Sequence, residues 1–85
     1  METFEYVLKD KAGIHARPAG VVVKTAKEFE SKITMENKGK KINCKGIFAV
    51  MSLAAKSGEK VVITIDGPDE KEAAEKMRKV MEENL

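Results

Sequence analysis

The stretch Lys11–Gly20, KAGIHARPAG, lies where the hydrophobic period of the chain changes, and the fold is read outward from it. Before it, TFEYVL (residues 3–8) alternates, with Phe4, Tyr6 and Leu8 facing one way as in a half-buried strand. After it, Ala19, Val22, Val23, Ala26 and Phe29 recur at helical spacing between Arg17 and Glu30. Pro18 falls in the first turn of that helix, where a missing N–H does no harm. The helix is therefore expected to begin at or just after His15. The same stretch holds the only histidine of the chain.

Further along, KITMENKGKKINCK (32–45) reads as two short strands around a turn at Asn37–Lys40, with Gly39 supplying a positive φ. GIFAVMSLAAKSG (46–58) holds a short helix from Ile47 to about Leu53 or Ala54. KVVITI (60–65) is a strand with Val61, Ile63 and Ile65 on one face. DGPDEKEAAEKMRKVMEENL (66–85) is a helix with Ala73, Met77, Val80 and Met81 as its buried stripe. Asp69 and Glu72 have the spacing of a capping-box-like start. Glu72–Lys76 and Glu75–Lys79 are spaced as i,i+4 ion pairs. The order β-α-β-β-α-β-α predicts an α+β open-faced β-sandwich: one four-stranded antiparallel sheet covered on one face by three helices. At 85 residues the whole chain, 1–85, is expected to be one domain.

Bulk properties exclude several classes. With 16 basic and 14 acidic residues and a net charge of +2, three Phe and one Tyr, the chain lacks the basic, aromatic surface of nucleic-acid binders. One His and one Cys cannot supply a usual zinc ligand set, and no nucleotide-binding glycine loop is present. Neither a metal nor a cofactor is expected. No run approaches the ~20 apolar residues of a membrane span, so no membrane insertion is expected. METFEYVLKD has neither the basic nor the apolar region of a signal peptide. The single cysteine, Cys44, allows no internal disulfide and fits a reducing, cytoplasmic setting.

A lone surface histidine usually does nothing. Three local features argue otherwise for His15. It lies at a helix N-terminus, where unpaired N–H groups, here of Ala16 and Arg17, and a positive dipole attract anions. Arg17 adds a permanent charge with a donor fork suited to phosphate oxygens. The neighbours Gly13, Ala16, Ala19 and Gly20 are small and leave the imidazole approachable. The positive helix end disfavours a positive charge on the ring, and a neutral ring nitrogen is a nucleophile. A nucleophile beside an anion site, with no second catalytic group, suits accepting a phosphoryl group and is not expected to be an enzyme on its own.

GIHARPA (Gly13–Ala19) resembles the active-site motif of the HPr family, the histidine-containing phosphocarriers of the bacterial phosphoenolpyruvate:sugar phosphotransferase system. The resemblance extends to the length, to the GIFAVMSL helix at 46–53 and to the order of elements. It implies that phosphorylated enzyme I donates a phosphoryl group to Nδ1 of His15, that Arg17 assists, and that IIA domains of sugar-specific enzymes II receive it. A regulatory module whose phosphorylation state is only a signal, such as a nitrogen-branch homologue, is the alternative.

Two surfaces are expected to meet those partners. Arg17, Gly20, Lys24 and Lys27 form a stripe down the first helix that would steer acidic proteins. In the short helix, Val50 and Leu53 are the core candidates, leaving Ile47, Phe48 and Met51 as an exposed apolar patch. The resemblance also marks a departure. Some members carry a regulatory serine just before this helix, where Gly46 stands here. The protein is expected to be a monomer.

Overall fold

The computed structural model describes all 85 residues. The elements follow in the order β1 (Glu2–Val7), α1 (Ala16–Ala26), β2 (Lys32–Asn37), β3 (Lys40–Asn43), α2 (Ile47–Ser52), β4 (Lys60–Asp66) and α3 (Glu70–Asn84). The strands form one antiparallel sheet in the order β1-β4-β2-β3, the predicted open-faced sandwich.

Alternation along the strands decides which face is covered. Phe4 and Tyr6 of β1, Val61, Ile63 and Ile65 of β4, and Ile33 and Met35 of β2 point to one face and are buried. The register sets Phe4 opposite Ile63 and Ile33 opposite Ile65, so these side chains form continuous rows across the strands. The helices cover them with Val22, Val23 and Ala26 of α1, Val50 of α2, and Ala73, Met77, Val80 and Met81 of α3. Each large aliphatic side chain so buried stabilises the fold by about 1.5–3 kcal/mol. The opposite face carries Thr3, Glu5, Thr34 and Lys60 and is open to solvent.

The hairpin between β2 and β3 turns through Lys38 (φ 51°) and Gly39 (φ 83°). Two consecutive positive φ values are the mark of a tight two-residue hairpin, and here a lysine takes the first. β3, the short edge strand, carries Lys40 and Lys41, which guard it against pairing with another sheet.

Several local expectations differ from what forms. The first helix ends at Ala26 and not Glu30; after two turn residues Phe29 folds back, half-buried, against the core. Its carbonyl accepts from Lys45 Nζ at 2.7 Å, a contact with the far end of the next hairpin that replaces further helix. The capping box at α3 does not form. The Asp69 carboxylate reaches instead across the molecule, accepting from Glu30 N at 2.8 Å, Ser31 N at 2.9 Å and the Ser31 hydroxyl. Glu70 Oε1 takes the Gly67 N–H at 3.1 Å. No ion pair closes at Glu72–Lys76 or Glu75–Lys79, whose exposed side chains remain in water.

Candidate functional site

His15 is the N-cap of α1, with extended backbone (φ −123°, ψ −175°), as the position of Pro18 predicts. Its carbonyl accepts the first helical bond, from Ala19 N at 2.9 Å. Its side chain makes no capping bond, so the Ala16 and Arg17 N–H groups at the helix start keep no side-chain partner. No acidic residue stands in this first turn to compete with an incoming anion.

The loop before His15 is held from several sides. Ile14 is buried and donates its N–H to the Ala55 carbonyl at 3.1 Å. Gly13 has a φ of 67°, and a β-carbon there would collide with the Ala55 carbonyl. The smallness of Gly13 therefore serves close packing against the segment after α2, and not access to the ring as the sequence suggests. Lys9 and Asp10 donate to the Leu85 carbonyl at 2.6 and 2.8 Å, tying the loop to the end of α3. Leu8 bonds Glu59 and Gly58 across to the start of β4.

The expected residues are exposed apart from Gly20, which is half-buried. The His15 side chain is 45% exposed. Arg17, Lys24 and Lys27 are exposed and enter no ion pair within the chain. Lys27 stands at the C-cap, one step beyond the last helical residue. Gly20 joins the two proposed surfaces: a β-carbon on it would sit 3.9 Å from Ile47 Cδ1. On α2, Phe48 is 85% exposed, Met51 38% and Ile47 36%, while Val50 and Leu53 are buried, as expected. Gly46 is the N-cap of α2 and supplies no hydroxyl. The nearby Ser52 hydroxyl donates to the Ala49 carbonyl at 2.6 Å.

One charged group near the ring escaped sequence reasoning. Asp10 Oδ1 lies 3.9 Å from His15 Nε2, and the same oxygen accepts from Ala12 N at 2.8 Å. The Asp-x-Ala spacing of a side-chain-to-backbone turn is the signal that could have found it.

His15 and Arg17 line none of the hollows of the molecule. The largest, about 450 Å³, lies over the open sheet face among Lys32, Thr34, Lys41 and Thr64. The ring thus stands on an open surface with no enclosed pocket for a small substrate, an arrangement that suits exchange between proteins. Cys44 is buried, and burial pushes its thiol up to about 12, out of reach of redox or nucleophilic work near neutral pH.

Comparison with known proteins agrees. The family described as "PTS HPr component phosphorylation site" matches residues 2–83. The chain is similar to the phosphocarrier protein HPr of Borreliella burgdorferi, at 40% identity over 92% of this chain and 91% of that protein. Among solved structures it is similar to the histidine-containing phosphocarrier protein of a mycoplasma, with TM-score 0.94, 38% identity, and coverage of 96% of this chain and 93% of that one. It is also similar to Crh, a catabolite repression protein of Bacillus subtilis described as a swapped, intertwined dimer. There the TM-score is 0.79 at 39% identity over 94% of this chain and 92% of that one. The matched family over nearly the whole length, the shared fold and the histidine-bearing helix start together show that this chain belongs to the HPr family of phosphotransferase-system phosphocarriers.

Proposed function

We propose that the protein accepts a phosphoryl group on His15 from phosphorylated enzyme I and passes it to IIA domains of sugar-specific enzymes II. The observation that carries this reading is the exposed imidazole at the start of α1, beside Arg17 and the open N–H groups of Ala16 and Arg17. The phosphoryl oxygens would meet those two N–H groups and the Arg17 fork, which preorganise positive charge where the transferred group carries negative charge. The chain supplies acceptor and anion site, and the partner supplies the remaining catalytic groups.

Docking would use Lys24, Lys27 and Gly20 of α1 with Ile47, Phe48 and Met51 of α2. Such a surface would combine apolar side chains with cations, suited to acidic partners and small contacts below about 1,200 Å² in total. We place the protein in the cytoplasm as a monomer of one domain, without regulation through a serine at position 46. The similarity to Crh favours one second reading, a regulatory module whose phosphorylation state is a signal.

The deciding experiment incubates the protein with enzyme I and labelled phosphoenolpyruvate, then with a panel of IIA domains. Wild type should take up acid-labile, alkali-stable label and hand it on, while His15→Ala folds and takes up none. Undiminished labelling of the alanine variant would sink the assignment. Labelling without transfer to any IIA domain would favour the signalling reading.

A further inference from the structure

We infer that Asp10 is a positioning residue for His15: it holds the ring proton on Nε2 and so keeps the Nδ1 lone pair unprotonated. The inference deepens the proposed carrier role and rests on it only for its consequence in transfer.

Asp10 is not a loose surface carboxylate. Its N–H is tied to the Leu85 carbonyl at 2.8 Å, and its own carbonyl accepts from Gly13 N at 2.9 Å. Its Oδ1 is held by Ala12 N at 2.8 Å, which fixes the side-chain rotamer. The carboxylate is thus aimed by the backbone, and what it faces is Nε2 of the only imidazole in the molecule, 3.9 Å away. At that separation there is no hydrogen bond, but a negative charge opposite one ring nitrogen favours the tautomer that carries its proton there. His15 has no other charged partner within ion-pair distance to oppose this.

The chemistry of transfer shows why it matters. When Nδ1 attacks phosphorus, its lone pair forms the N–P bond while the bond from phosphorus to the donor's leaving atom breaks and returns its electron pair to that atom. The proton on Nε2 stays, so the ring becomes cationic. When the group moves on, the N–P electron pair returns to Nδ1 and the neutral Nε2–H ring is restored. No proton need enter or leave in either direction, provided the proton starts on Nε2. A fixed carboxylate on that side selects this state and balances the ring charge that appears with the phosphoryl group.

The test is Asp10→Asn, which keeps an Oδ1 acceptor for Ala12 N and removes only the charge. Nitrogen-15 NMR of the imidazole, at about pH 8.5 where an ordinary histidine is neutral, reads the tautomer directly. The ratio of the Nδ1–H to the Nε2–H tautomer should rise roughly two- to fivefold in the variant, the scale of an exposed charge contact. An unchanged tautomer ratio overturns the inference. Because this readout uses the unphosphorylated protein, it decides the role of Asp10 even if enzyme I fails to label His15. If labelling occurs, the equilibrium constant for phosphorylation by the donor should fall by a similar factor in Asp10→Asn.

Discussion

Helices α2 and α3 are both rich in apolar residues, yet they meet the sheet on opposite terms. α3 spans 15 residues and turns Ala73, Ala74, Met77, Val80 and Met81 inward, with Glu, Lys and Arg on its outer side. α2 spans six residues and buries only Val50, leaving Phe48 almost bare. A helix of four turns can segregate its two faces; a helix under two turns surrounded by apolar side chains cannot bury them all. α3 is part of the core. α2 is a small anchor that leaves apolar surface exposed.

The sharpest way to test that difference is to cut each helix where it matters. Met77 is fully buried. Met77→Ala should therefore cost about 2–5 kcal/mol in denaturant unfolding, and a smaller loss would mean that the α3 core can collapse around the gap.

The next effect concerns the α3 start. The Ser31 hydroxyl, together with the Glu30 N–H, holds the Asp69 carboxyl below the usual aspartate range. A folded value below the unfolded one contributes stability that is present above about pH 3.9 and is lost as pH falls through the lower folded value. Asp69→Asn should flatten this acid limb of the stability curve. A variant with the wild-type acid dependence would show that other carboxylates carry it.

Just past the C-cap of α2, Ala54 lies in the left-handed region, φ 53°. A glycine avoids the β-carbon strain there, so Ala54→Gly should raise stability by about 0.5–1 kcal/mol. A loss instead would mean that chain entropy outweighs the strain. The smallest stability effect belongs to Phe48. Phe48→Ala should change unfolding by under about 0.5 kcal/mol while weakening binding to enzyme I or a IIA domain in calorimetry. A large drop in Tm would return Phe48 to the core and erase the contrast between the helices.

What could be read from the sequence follows the same division. Strand alternation and the helical stripe from Ala19 to Ala26 are local patterns, and they located the sheet, the face it buries and the histidine at the helix start. The patch on α2 was legible because six residues are too few to hide Ile47, Phe48 and Met51 together. What escaped depended on partners distant in sequence. Asp69 has the spacing of a helix cap but finds Ser31 and Glu30 across the molecule. α1 stops at Ala26 because Phe29 turns inward and Lys45 takes its carbonyl. Asp10 acquires a relation to His15 only because Leu85, Ala12 and Gly13 shape the loop between them.

The strand order also sets a schedule. β1 is synthesised well before β4, its only partner in the sheet. The loop that carries His15 waits for the same late arrivals: Ala55 for Ile14, Gly58 and Glu59 for Leu8, and Leu85 for Lys9 and Asp10. Such long-range closure is slower than local helix formation and completes only once the chain has been extended through Leu85. A nascent or truncated polypeptide would therefore display the GIHARPA motif without the geometry that gives it meaning.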